Sequence, residues 1–125
     1  MASLFIIRGL PGSGKTTLAH EIASRVYSAD DYFTNRYTGE YHFVAEHLHI
    51  AHSNCLQNVR LAMRDRCNKI AVANTFSMRW EMQLYYDAAK EFGYTVYELT
   101  CNGKFKNTHN VPEETISKMM ARWEN

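Results

Sequence analysis

The chain has few of the features that mark a disulfide-stabilised or membrane-spanning protein. Its cysteines, Cys55, Cys67 and Cys101, are odd in number and widely spaced. They do not suggest a disulfide framework and favour reduced thiols in the cytoplasm. No apolar run approaches the length of a membrane span. With 14 basic and 13 acidic residues the formal net charge is +1, so there is no bulk attraction to nucleic acid or membranes. We therefore expect a soluble cytoplasmic protein without membrane contacts.

Proline is also scarce, and the two that occur, Pro11 and Pro112, stand at predicted loop positions. The chain has no repeat, low-complexity tract or linker. Its 125 residues are 46% hydrophobic and 13% aromatic, which is enough to bury a core. We expect a single domain over residues 1–125.

Apolar spacing predicts strands that alternate with helices. The predicted strands cover residues 4–8, 26–28, 69–74 and 94–101. The predicted helices cover residues 15–25, 43–66, 78–92 and 112–124, and Gly93 is the expected C-cap of the third. This order indicates an α/β fold with three layers and a mostly parallel sheet of about four to five strands. Ligands of such folds bind at the carboxyl ends of the strands.

A glycine-rich segment leaves the first predicted strand and opens the first predicted helix. It reads Gly9-Leu10-Pro11-Gly12-Ser13-Gly14-Lys15-Thr16, with Thr17 next. The spacing and the strand–loop–helix context both match a phosphate-binding loop, and a glycine turn formed by chance is the alternative. Its main-chain N–H groups and the helix dipole would hold phosphate oxygens. Lys15 would reach the terminal phosphates, and Thr16 would offer its hydroxyl to Mg²⁺.

A phosphate loop alone does not distinguish a kinase from an ATPase or a GTPase. The guanine-selective pattern Asn-Lys-x-Asp is missing, since Asn68-Lys69 is followed by Ile70-Ala71. This argues against a GTPase.

An acidic pair, Asp30 and Asp31, follows the second predicted strand. Phosphoryl transfer to a hydroxyl needs a carboxylate that orients the hydroxyl and accepts its proton. The alternative role is capping of a helix that starts at Tyr32-Phe33. The residues leave both roles open, and one carboxylate can cap while the other takes part in chemistry.

Several segments, taken together, resemble one superfamily. Gly9 to Thr17 is the generic part of the match. The combination of Ser28-Ala29-Asp30-Asp31-Tyr32-Phe33 with Asn74-Thr75 is much more selective. Further matches are Tyr41-His42-Phe43, Leu48, Ala51-His52, Trp80-Glu81-Met82 and Arg122-Trp123-Glu124. They resemble the 5′-kinase domain of T-even phage polynucleotide kinase. They are closer still to the eukaryotic P-loop ATPases of the NEDD-four-binding-protein type, which are AAA-type members of that superfamily.

This resemblance implies a P-loop kinase-like fold, with ATP and Mg²⁺ as ligands. It implies Lys15 on the β- and γ-phosphates and Thr16 on the metal. Asp31 is our second candidate ligand for the metal. Asp30 is implied to be the general base towards a 5′-hydroxyl. Arg122 is implied to lie near the adenine, although a surface ion pair is the alternative.

The chain also departs from the family pattern. Lys106 falls where family kinases place a lid arginine, and lysine lacks the two-pronged hydrogen bonding of a guanidinium. Asn74 replaces an aspartate, Phe33 a substrate-contacting arginine, and Phe76 an asparagine. These differences bear on the acceptor more than on nucleotide binding. The compact size and short segment before the last helix suggest a phage version, which would act in the host cytoplasm.

Two further clusters admit a functional interpretation. His49, His52 and Cys55 recur every three residues, and a zinc site is conceivable. A partly exposed helix face with His52 packed inward is the simpler expectation. An aromatic stretch next to the acidic pair could stack a base, or serve core packing instead. Its members are Tyr32, Phe33, Tyr37, Tyr41 and Phe43.

The main hypothesis is an ATP- and Mg²⁺-dependent P-loop kinase that phosphorylates a polynucleotide or nucleoside 5′-hydroxyl. Lys15 would neutralise phosphate charge, Asp30 would orient the acceptor, and Lys104 or Lys106 would close from the lid. The alternative is a module that binds ATP, hydrolyses it slowly or not at all, and has no kinase activity.

Overall fold

The computed structural model describes residues 2–102 and 113–124, in which strands alternate with helices. The strands are β1 (Ser3–Gly9), β2 (Arg25–Tyr27), β3 (Lys69–Asn74) and β4 (Thr95–Cys101). The α-helices are α1 (Lys15–Ile22), α2 (Leu48–Arg64), α3 (Trp80–Phe92) and α4 (Glu113–Ala121). Short 3₁₀ helices form at Ala29–Phe33 and Ala45–His47. Lys104, Lys106 and Pro112 lie outside the described residues.

The four described strands form one parallel sheet in the order β2-β3-β1-β4. This confirms the predicted α/β fold and its parallel sheet. Ile6 of β1 pairs with Val72 of β3 on one side and with Glu98 of β4 on the other. Because β1 is flanked on both sides, the loop that leaves its carboxyl end starts from the interior of the sheet.

Helices cover both faces of the sheet, which gives the three layers that were predicted. On one face Leu4 and Ile6 pack with residues of α2 and α3. On the other face Ile7, Ala71 and Ala73 pack against Ala19 of α1. The small side chains of β3 let α1 approach the sheet closely, and this fixes where the first turn of α1 stands relative to the strand ends.

The predicted ends of two helices were wrong. α1 stops at Ile22 rather than at residue 25, because Ser24 donates its N–H to the Lys69 carbonyl at 3.2 Å, directly before β2. α2 begins at Leu48 rather than at residue 43. Phe43 is half exposed and precedes the helix. The predicted C-cap Gly93 is confirmed, with φ of 76° and an N–H bond to the Ala89 carbonyl.

The last predicted helix is also shorter than expected at its end. α4 ends at Ala121, and Glu124 donates its N–H to the Ser77 carbonyl at 2.7 Å. The chain after α4 therefore leaves the helical path to bond with the segment that follows β3. None of the described helices is both long enough and apolar enough to cross a membrane.

Candidate functional site

The loop between β1 and α1 is a turn of backbone amides at the carboxyl edge of the sheet. Gly12 and Gly14 have φ of 82° and 88°, a region that favours glycine. Gly14 is the N-cap of α1, and within the described residues no side chain caps that end. The first N–H groups of α1 have no partner inside the helix, so they are available to an anion.

Gly9 and Ser13 pack together at the start of this loop. A Cβ on Gly9 would collide with the Ser13 hydroxyl and lie 3.1 Å from the Cys101 carbonyl oxygen. Ser13 is 5% exposed, and its hydroxyl has no hydrogen-bond partner within residues 2–102 and 113–124. A buried hydroxyl without a partner is costly. Its position fits a loop whose remaining polar groups are completed by a bound phosphate.

Lys15 is held within this loop. Its Nζ lies 3.5 Å from the Leu10 carbonyl oxygen. Burial lowers the pKa of Lys15, and the charge of Asp30 counteracts this shift. The Lys15 ammonium and the Asp30 carboxylate are therefore near enough for their charges to interact. Thr16 and Thr17 lie exposed in the first turn of α1.

The two carboxylates of the acidic pair have different partners. Ser28 is the N-cap of the 3₁₀ helix, and its hydroxyl accepts the Asp30 N–H at 3.2 Å. Asp31 returns the bond, since its Oδ2 accepts the Ser28 N–H at 3.0 Å. Asp31 thus completes a capping box. Asp30 Oδ1 instead accepts a bond from the Tyr41 hydroxyl at 3.2 Å.

Asn74, at the carboxyl end of β3, ties this turn to the sheet. Its Oδ1 accepts the Ala29 N–H at 2.8 Å and the Ser28 hydroxyl at 3.3 Å. Its Nδ2 lies 3.8 Å from the Cys55 sulfur. The amide is buried, with its oxygen accepting from the acidic turn and its nitrogen facing α2. The sequence did not predict that Asn74 places the acidic turn. It showed only that Asn74 replaces the aspartate of the family pattern.

Residues 34–42 form a short antiparallel hairpin with a bridge between Thr34 and Tyr41. The Asn35 N–H donates to the Glu40 carbonyl at 2.8 Å. Arg36 lies over the ring of Tyr37 at 4.9 Å, and Tyr37 is 83% exposed.

The aromatic stretch divides into buried and exposed members. Phe33 is buried and contacts the ring of Phe43, with centroids 5.0 Å apart. Tyr32, Tyr37 and Phe43 expose 37%, 83% and 50% of their surface. Core packing therefore accounts for Phe33, while the other three rings present aromatic surface to solvent.

The described residues contain no group of three or more His, Cys, Asp or Glu side chains able to hold a metal ion. This disfavours the zinc hypothesis. Cys55 is buried, and burial raises the pKa of its thiol to about 11. His52 is exposed rather than packed inward as expected, because its side of α2 faces solvent. A phosphate-bound Mg²⁺ needs no such cage, since substrate phosphates and waters supply most of its ligands.

Arg122 lies at the end of α4, where its Nε donates to the Ser77 hydroxyl at 3.0 Å. The more prominent arginine of this region is Arg8, which belongs to none of the sequence motifs described above. Arg8 is 1% exposed, and it donates to the Phe76 carbonyl from Nε at 3.1 Å and from Nη2 at 2.7 Å. Its guanidinium also lies 4.2 Å from the ring centroid of Trp123.

The sheet order and the loop geometry define a P-loop domain with a kinase-like topology. A family model described as an AAA domain matches residues 4–104. The chain therefore belongs to that family. It is 31% identical to human NEDD4-binding protein 2 over 135 aligned positions, which cover 97% of the chain and 8% of that relative. The chain thus spans a small part of the relative's length.

Solved structures of low sequence identity share the fold. A chain of the Pnkp1/Rnl/Hen1 RNA repair complex superposes with a TM-score of 0.67 at 21% identity, over 97% of this chain and 43% of that one. The Mycobacterium tuberculosis APS kinase CysC in complex with AMPPNP and APS gives 0.54 at 14% identity, over 94% and 67%. These structures confirm the P-loop kinase-like fold. The family model and the identity to NEDD4-binding protein 2 confirm the predicted family.

Proposed function

We propose that this chain is an ATP-dependent phosphotransferase that acts on a polynucleotide or nucleoside 5′-hydroxyl. The observation that carries the proposal is the phosphate loop, where Lys15 Nζ lies 3.5 Å from the Leu10 carbonyl oxygen, together with an acidic turn whose Asp30 carboxylate lies outside the capping box. A cation for the phosphates and a carboxylate for the acceptor are the two side-chain groups that phosphoryl transfer needs most.

The loop amides and Lys15 hold the triphosphate in this proposal. Two features support a bound phosphate here: the Ser13 hydroxyl has no hydrogen-bond partner among the described residues, and Gly9 fits closely against Ser13. Thr16 and Asp31 are the residues proposed to hold Mg²⁺, which when bound neutralises charge on the phosphate oxygens. Arg122 and Lys106 are proposed to act on the adenine side and from the lid.

The proposed reaction needs one proton acceptor. The acceptor's hydroxyl oxygen bonds to the γ-phosphorus while the bond from that phosphorus to the bridging oxygen breaks. ADP leaves, and the hydroxyl proton passes to the Asp30 carboxylate. Asp30 suits this role better than Asp31, because Asp31 is engaged in the capping box.

The exposed rings of Tyr32, Tyr37 and Phe43 support an acceptor that carries a base. Aromatic side chains stack on nucleobases with little sequence preference. The similarity in fold to a chain of an RNA repair complex agrees with such an acceptor.

The test uses radiolabelled ATP with a panel of 5′-hydroxyl oligonucleotides and nucleosides. Asp30→Asn should lower the transfer rate by a factor on the order of 10²–10⁴ and leave ATP affinity unchanged, because it removes the proton acceptor but not the phosphate loop. Asp87→Asn, an exposed change on α3, is the matched control.

Lys15→Ala separates nucleotide binding from transfer in the same assay. It should weaken ATP binding by at least about tenfold, the loss expected for a charge-assisted contact, while Lys90→Ala on α3 should not. Tight ATP binding by the wild-type protein without transfer to any acceptor would favour the binding module instead.

A further inference from the structure

The Asp30 carboxylate is not held by its own helix alone. Its backbone lies in the 3₁₀ helix Ala29–Phe33, but its Oδ1 accepts a bond from Tyr41, eleven positions along the chain. Tyr41 belongs to the hairpin of residues 34–42. The orientation of the carboxylate therefore depends on a second structural element.

Several contacts fix Tyr41 relative to Asp30. Thr34, the bridge partner of Tyr41, donates its hydroxyl to the Asp30 carbonyl oxygen at 2.9 Å. The His42 N–H donates to the Phe33 carbonyl at 2.9 Å. The Tyr41 ring meets Phe33 edge-on, with centroids 6.2 Å apart. Both sides of the hairpin are thus anchored to the 3₁₀ helix, and the Tyr41 hydroxyl has little freedom to leave the carboxylate.

The Tyr41 hydroxyl stays protonated and can therefore donate to the Asp30 carboxylate at neutral pH. Burial raises the pKa of Tyr41 well above its ordinary range, and the Asp30 charge adds to the shift. The phenol therefore keeps its proton at neutral pH. An ionised carboxylate has about four acceptor sites, so one bond from Tyr41 does not exhaust its capacity.

We propose that Tyr41 is a positioning residue for phosphoryl transfer, whose hydroxyl holds the Asp30 carboxylate in the orientation that receives the acceptor's proton. This inference rests on the proposed function. Transfer depends steeply on the placement of the proton acceptor, so a carboxylate free to rotate loses rate without any loss of nucleotide affinity.

The test is Tyr41→Phe, which keeps the ring and its contact with Phe33 but removes the hydroxyl. We expect kcat to fall by on the order of tenfold, the effect of losing one hydrogen bond to a charged group, while KM for ATP stays unchanged. Tyr94→Phe is the matched control, because Tyr94 is buried and its hydroxyl donates to the Cys67 carbonyl instead. It should leave kcat unchanged.

A double-mutant cycle separates positioning from a general structural effect. If Tyr41 acts through Asp30, Tyr41→Phe has no further effect on the residual transfer of Asp30→Asn. An equal loss in both backgrounds, or an unchanged kcat in Tyr41→Phe, overturns the inference while leaving the proposed function intact. Absence of transfer by the wild-type protein counts against the proposed function itself, and the role of Tyr41 then falls with it.

Discussion

At the scale of single residues, the phosphate loop depends on a missing side chain at Gly9. The Ser13 hydroxyl occupies the space that a Cβ would fill, and the Cys101 backbone closes the other side at 3.1 Å. Ser13 cannot move far, since it is buried in the loop. The absence of a Cβ at Gly9 therefore permits both the shape of the loop and its close packing against the end of β4.

Gly9→Ala should damage stability and nucleotide binding together. Overpacking of this kind costs about 1–3 kcal/mol, and the shift it forces on Ser13 disturbs the amides of the loop. Urea unfolding and ATP titration measure the two effects.

Gly93→Ala is the control, because its φ of 76° makes alanine strained while nothing lies within 4 Å of its Cβ position. It should lower stability by about 1–2 kcal/mol with ATP affinity unchanged. An unaltered ATP affinity in Gly9→Ala would contradict this account.

The glycine loop was predictable from the sequence because local backbone geometry dictates its residues. The sequence could not decide which carboxylate of the acidic pair caps the helix. Glycine and lysine at fixed spacing define the loop without any distant contact. Asp30 and Asp31 share one turn, and their roles differ only through partners elsewhere. A signal for Asp31 did exist, since Ser28 three positions earlier completes a capping-box pattern. The bond from Tyr41 to Asp30 left no such signal.

At the scale of elements, the acidic 3₁₀ helix is docked on the sheet by one buried amide. Asn74 satisfies two donors of the helix start, from Ser28 and Ala29, while its own amino group faces the Cys55 sulfur. An aspartate at this position would keep the acceptor but lose the donor and bury a charge. The asparagine therefore matches its surroundings in this chain.

Asn74→Ala should release the 3₁₀ helix from the end of β3. The Ala29 N–H and the Ser28 hydroxyl lose their acceptor, which costs about 1–3 kcal/mol. Under the proposed function, transfer should fall because Asp30 lies in this helix, while ATP affinity should not change. The free energy of unfolding in urea and kcat measure the two effects, with the exposed Asn58→Ala on α2 as control. A kcat equal to that of the wild type would show that Asn74 does not position Asp30.

Element types were predictable from periodicity, and their ends were not. The strands and helices alternate as the apolar pattern indicates, since buried faces dictate both. α1 stops early because Ser24 bonds to Lys69, a partner 45 positions away. The hairpin of residues 34–42 carries few apolar residues, so its pairing depends on backbone bonds that no hydrophobic pattern reveals.

At the scale of the whole molecule, Arg8 joins the two ends of the described chain. It stands directly before the phosphate loop, yet its guanidinium bonds to the Phe76 carbonyl and to the Glu124 carbonyl, 116 positions away. Phe76 has φ of 49°, an unusual value for a bulky residue. The two bonds from Arg8 to its carbonyl help to hold that conformation. A contact of such sequence separation has no periodic signature.

Trp123→Ala tests whether this contact holds the C-terminal segment. The ring covers the Arg8 guanidinium at 4.2 Å, and a cation–π contact shielded from water contributes about 2 kcal/mol. We expect a loss of that order in the free energy of unfolding, and faster hydrogen exchange over residues 113–124 than in β1.

Trp80→Ala is the matched control, since Trp80 is 70% exposed on α3, and exposed substitutions usually change stability by less than about 0.5 kcal/mol. Equal losses in the two variants would mean that removal of any indole, rather than loss of its contact with Arg8, lowers the stability. Faster exchange confined to residues 113–124 would show that the segment opens as a unit while the sheet stays closed.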